Sequence, residues 1–113
     1  MKTKELLEIV SSFTEEHFFT FRVSLNERTY QPSEVADCYV YEITDVNGNI
    51  FVTLKRASND EYITKYVINS YFADIKDKNL IFEFEIERFK TRKVHYWNYE
   101  VTNQNEVILY FNE

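Results

Sequence analysis

Three glutamates, Glu83, Glu85 and Glu87, stand two residues apart in the stretch LIFEFEIERFKTRKVHYWNY, and the cations Arg88, Lys90, Arg92 and Lys93 follow with His95. Carboxylates at this spacing on a strand lie about 7 Å apart, a separation compatible with paired-carboxylate hydrolysis. That chemistry also requires a cleft and one carboxyl with a raised pKa, and an alternating strand face supplies neither. The cations could meet phosphates at a hairpin tip. Without a recognised nucleic-acid module, their simpler role is to neutralise the neighbouring glutamates and guard a strand edge.

The remaining reactive side chains are scattered. Cys38 is far in sequence from His17 and His95, with no nucleophile signature around any of them, so a small, partly buried thiol is expected. Glu15, Glu16 and His17 are consecutive and point to different faces of a helix, and none of the familiar metal-binding spacings occurs. A single glycine excludes Gly-rich phosphate loops. The expectation is a protein that is not an enzyme, with no cofactor and no metal.

What positions these residues is one domain. The chain has 113 residues, 44% hydrophobic and 28% charged, with ten Phe and nine Tyr, which is enough apolar material to offset chain entropy. The lone cysteine and the opening MKTKELLEIV, which reads as an amphipathic helix rather than a leader, suggest a cytoplasmic setting. The longest apolar run, VILYF at 107–111, is far short of the roughly 20 residues that span a bilayer, so no membrane partner is expected. A formal charge of −6 repels phosphate backbones and makes direct nucleic-acid binding the less favoured case.

Leu6, Leu7, Val10 and Phe13 recur at helical spacing behind Thr3, a candidate cap, and predict a first helix ending near Glu16. From Phe18 the period becomes two, placing Phe19, Phe21, Val23 and Leu25 on one strand face. A polar stretch with Pro32 predicts the longest loop. Asn47-Gly48 then predicts a type I′ hairpin in which Ile43 faces Val52, Tyr41 faces Leu54 and Val40 faces Lys55. Ser58 and Glu61 form a capping box ahead of a second helix with a buried stripe of Ile63, Tyr66, Val67 and Tyr71, closed by the cations of KDKN. Three further strands follow, near 79–89, 93–101 and 105–112, and no internal repeat is visible. The order αβββαβββ predicts an α+β fold, a mostly antiparallel sheet of about six strands with both helices on one face.

A turn at Lys90-Thr91 would pair Phe84 with Trp97 and Phe82 with Tyr99, and a three-residue loop at 102–104 would set Val107, Leu109 and Phe111 against them. Glu83, Glu85, Glu87, Tyr96, Asn98, Glu100, Ile108 and Tyr110 would then share the open face of the sheet. Tyrosines and Ile among hydrogen-bonding groups suit a protein partner, whereas a nucleic-acid platform would interleave the aromatics with Lys and Arg.

In size, charge, element order and its EFEIE ladder, the chain resembles the small acidic α+β proteins of phages and mobile elements of Gram-positive bacteria, among them anti-CRISPR proteins. The resemblance implies an inhibitor whose acidic side chains replace phosphates in the channel of a nucleic-acid enzyme such as a CRISPR nuclease, acting in the host cytoplasm. Direct nucleic-acid binding through Arg88, Lys90, Arg92 and Lys93 is the alternative. A self-assembling subunit joined through VILYF is another, and the state is expected to be a monomer or homodimer.

Overall fold

The computed structural model describes residues 2–26, 37–56, 63, 65–73, 75 and 77–113. The side chain of Thr3, the loop around Pro32 and the Ser58–Glu61 capping box fall outside what it describes. The elements run α1 (Lys2–Ser12), β1 (Phe18–Ser24), β2 (Asp37–Val46), β3 (Asn49–Arg56), α2 (Lys65–Ala73), β4 (Asn79–Glu87), β5 (Lys90–Val101) and β6 (Glu106–Asn112). The expected class and order are therefore present, with two helices and six mostly antiparallel strands.

The sheet closes on itself as a barrel in sequence order, β6 returning to β1. Closure uses two parallel seams, β1 with β6 and β3 with β4, while the other four pairings are antiparallel. Exchanging the half α1–β1–β2–β3 with the half α2–β4–β5–β6 maps one parallel seam onto the other. The chain is thus a topological duplication, although its sequence shows no repeat. The open sheet face expected from the strand pattern is replaced by the outer wall of a barrel, and β6 is paired on both sides. With both neighbours in place, β6 offers no free backbone edge.

One core fills the barrel. Phe19, Phe21 and Val23 of β1 and Val107, Leu109 and Phe111 of β6 meet Val52, Leu54, Phe82 and Phe84 inside it, each at most 4% exposed. Strict alternation explains these positions, because every second side chain of a barrel strand points inward. Leu6 and Val10 of α1, and Ile68 and Phe72 of α2, belong to the same cluster. The two helices also touch each other. Both precede strands that start at the same end of the barrel, where the Asn47-Gly48 turn and the 102–105 turn also lie.

Helix α2 presents part of the expected stripe: Ile63 ahead of it and Tyr71 within it are half-buried against the core. Ile68 and Phe72, four residues apart, are buried, whereas Tyr66 and Val67 stand in solvent. The sequence offers apolar residues on both sides of this short helix, and the larger Phe72, in ring contact with Phe82, takes the core. The helix ends at Ala73, so KDKN lies beyond it, and Lys78 pairs with Asp45 of β2 instead of capping the last turn. Similarly α1 stops at Ser12 rather than near Glu16.

The Asn47-Gly48 turn forms as read, both residues having positive φ (53° and 86°). Ile43 meets Val52, but a bulge at Tyr41 leaves Val40 opposite Leu54 and Tyr39 opposite Lys55. Cys38 is a buried thiol outside any disulfide. No helix of the described residues is long and apolar enough to cross a membrane.

Candidate protein-interaction surface

Strand β5 decides which side chains reach the outside, because it is 12 residues long and serves two neighbours. Residues 90–94 pair with β4 and residues 95–101 with β6, and a bulge at Trp97 interrupts the β6 pairing. The β4–β5 turn is at Arg88-Phe89 rather than Lys90-Thr91, so Phe82 lies opposite Val94 and Phe84 opposite Arg92. The expected pairings of Phe84 with Trp97 and Phe82 with Tyr99 do not occur. The sequence does not announce this earlier turn, because it requires a bulge near Glu85–Glu87 and a phenylalanine at φ 63°, a value that disfavours bulky residues.

This shift inverts part of the predicted face. Val94 and Tyr96 point into the barrel, Tyr96 being 3% exposed with its ring 6.1 Å from Phe111. Burial, and then the charge of Glu5, raises its phenol far above the usual range, and its hydroxyl has no hydrogen-bond partner. Tyr96 is core, not surface. Beyond the bulge the register returns close to expectation, with Tyr99 opposite Leu109 and Glu100 opposite Ile108. The last loop closes from Thr102 N to Glu106 O, leaving three residues, 103–105, one position later than expected.

The predicted glutamates divide between two environments. Glu83 sits between Thr53 and Lys93 in register, and Glu85, with a side chain 16% exposed, meets Lys55 Nζ at 3.5 Å. Lys55 also lies 3.5 Å over the Tyr41 ring, so it ties β2, β3 and β4 together on the outer wall. Glu85 is thus paired, and both carboxylates are half-buried. Glu87 is exposed at the base of the tip opposite Lys90. Of the cations, Arg92 pairs with Glu113, while Arg88, Lys90 and Lys93 are exposed.

The second environment lies across the outer wall of β5, β6 and β1. Asn98 and Glu100 are exposed there, and Tyr110 donates from its hydroxyl to Glu100 Oε2 at 2.8 Å. Trp97, 46% exposed, packs its indole 5.9 Å from the Tyr110 ring. Burial, followed by the hydrogen bond to Glu100 and the charge of that carboxylate, raises the Tyr110 phenol above its ordinary value, while Arg22, its partner in register on β1, opposes the shift. Beside this group Thr20 donates to Glu106 Oε2 at 2.7 Å, and Ile108, 6% exposed, is buried outside the core cluster.

Asn98, Glu100, Ile108 and Tyr110 are thus brought together as read, Tyr96 leaves, and Trp97 joins. Period two alone assigns Trp97 to the core, and nothing local to the sequence announces the bulge that turns it out. Among the described residues no group of three or more His, Cys, Asp or Glu side chains could hold a metal ion. No protein-family model, curated protein or solved structure matches this chain.

Proposed function

We propose that this protein is a non-enzymatic binding domain whose partner docks on the outer wall of β5 and β6. The observation that carries this reading is the Trp97–Tyr110–Glu100 group, an exposed indole stacked beside a tyrosine whose hydroxyl holds an exposed carboxylate. Aromatic side chains held rigidly on strands give contact area at little cost in entropy, and Trp and Tyr dominate the energetics of protein interfaces. The acidic excess of the chain favours a partner with a positively charged surface and speeds their encounter.

The partner class that fits is a nucleic-acid enzyme, whose Lys and Arg rows are built for phosphates. Glu100 presents a carboxylate to such a row, and the protein then acts as an inhibitor of the kind the anti-CRISPR resemblance implies. Only charge-assisted hydrogen bonds from the partner's cations are required.

The test is affinity capture from nuclease-treated bacterial lysate with the wild-type chain and with Trp97→Ala and Glu100→Lys in parallel, followed by titration of the captured protein. Trp97→Ala is expected to weaken binding by about 2 kcal/mol or more, the effect of a truncated interface aromatic, and Glu100→Lys to slow association. If both variants capture the same protein with unchanged affinity, this surface is not the interface. If capture is lost on nuclease treatment, nucleic acid was the partner.

A further inference from the structure

Phe89 is the most exposed large hydrophobic side chain described, at 88%, and it occupies the turn between β4 and β5 with φ 63°. Among the described residues, the other two non-glycine positions with positive φ are Asn47 and Asn105. Asparagine tolerates that conformation, whereas a bulky side chain there is strained. An asparagine or glycine at position 89 would make the turn at lower cost, and the ring buries almost nothing in return. Strain of this kind at an exposed site is a reason to look for function.

The surroundings of the ring select its ligand. Arg88 lies over it, guanidinium carbon 5.1 Å from the centroid, and Lys90 is exposed on the other flank. A protein pocket or an acyl layer that swallowed Phe89 would have to take the Arg88 charge in with it, at a desolvation penalty unless the charge were paired. A nucleobase stacks on the open face of the ring, leaving both cations at the level of the phosphates in water. The tip also projects from the end of the barrel opposite the Asn47-Gly48 and 102–105 turns, with Glu87 as its nearest carboxylate in register. An acidic body with a cationic aromatic tip meets a polyanion end-on.

We propose that the Arg88-Phe89-Lys90 turn is a stacking site for single-stranded nucleic acid, in which an unpaired base lies on Phe89 and Arg88 and Lys90 contact the flanking phosphates. This site is separate from the β5–β6 wall, and Trp97→Ala and Glu100→Lys leave it intact, so either reading can fail without the other.

The experiment is fluorescence anisotropy of a labelled oligothymidylate of about ten nucleotides, titrated with the full-length protein between about 50 and 200 mM salt. Saturable binding is expected, with a log–log salt slope of about −1.4 for two phosphate contacts on a single strand. Phe89→Asn is expected to keep or raise the unfolding temperature and to lose about 10-fold in affinity, within the range for removing one base–aromatic stack. Phe89→Leu, which keeps apolar area but loses the ring, should lose as much. Absence of binding at the lowest salt, unchanged affinity in Phe89→Asn, full retention by Phe89→Leu, or preference for a blunt duplex or for anionic phosphatidylserine vesicles over the single strand would each overturn the proposal.

Discussion

Residue types here are decided by which side of the barrel wall they reach, and Tyr96 and Tyr110 show the difference. Tyr110 keeps a carboxylate partner at the surface, while Tyr96 buries a hydroxyl without one, a cost of roughly 1–3 kcal/mol. Tyr96→Phe removes that oxygen without changing the ring, so it is expected to raise stability by about 1 kcal/mol in denaturant melts; a destabilised variant would mean the hydroxyl is satisfied in solution. Burial raises both phenols in the folded state above the ordinary tyrosine value of about 10. The native state therefore holds protons that the unfolded chain releases above that value, so this contribution is fully present below about pH 10 and is lost as pH rises further. An absorbance titration should show these two tyrosines ionising last, with unfolding, and Tyr96→Phe should remove one of the late steps.

At the level of elements, turns and bulges carry the information that alternation lacks. The Asn47-Gly48 turn was legible because type I′ geometry demands positive φ at both positions, and Gly48 supplies 86°. A Cβ there would touch nothing within 4 Å, so Gly48→Ala is expected to cost about 1 kcal/mol through backbone strain alone; a loss several times larger would show a packing role. Asp45 reinforces the turn by accepting from Gly48 N at 3.1 Å, and its pairing with Lys78, followed by that amide, outweighs desolvation and lowers its pKa. The bulges at Tyr41 and Trp97 were not legible. Each adds one residue that no hydrophobic pattern marks, and each reverses which neighbours face inward. The same limit applies to α2, where Phe72 and Tyr66 were both available to the core. Phe72→Ala should cost about 3–5 kcal/mol and Tyr66→Ala within about 0.5 kcal/mol, and the reverse order would mean the helix is turned the other way.

For the whole molecule, class and element order followed from the sequence because helical and strand periods alternate cleanly along it. Barrel closure did not, since the parallel seams β1·β6 and β3·β4 join residues whose pairing no local signal specifies. Closure changes the functional picture: all alternating strands become wall, Glu83 and Glu85 are half-buried with Glu85 held against Lys55, and the proposed partner surface contracts to Trp97, Asn98, Glu100 and Tyr110. Trp97 is the only tryptophan in the chain, so 5-fluorotryptophan labelling gives a single fluorine resonance at the centre of that surface. The most direct measurement is fluorine NMR of the labelled protein titrated with its captured, unlabelled partner. A shift and broadening of that resonance, saturating with complex formation and abolished by Glu100→Lys, is the predicted result; a complex that forms while the Trp97 signal keeps its position and width would contradict the account.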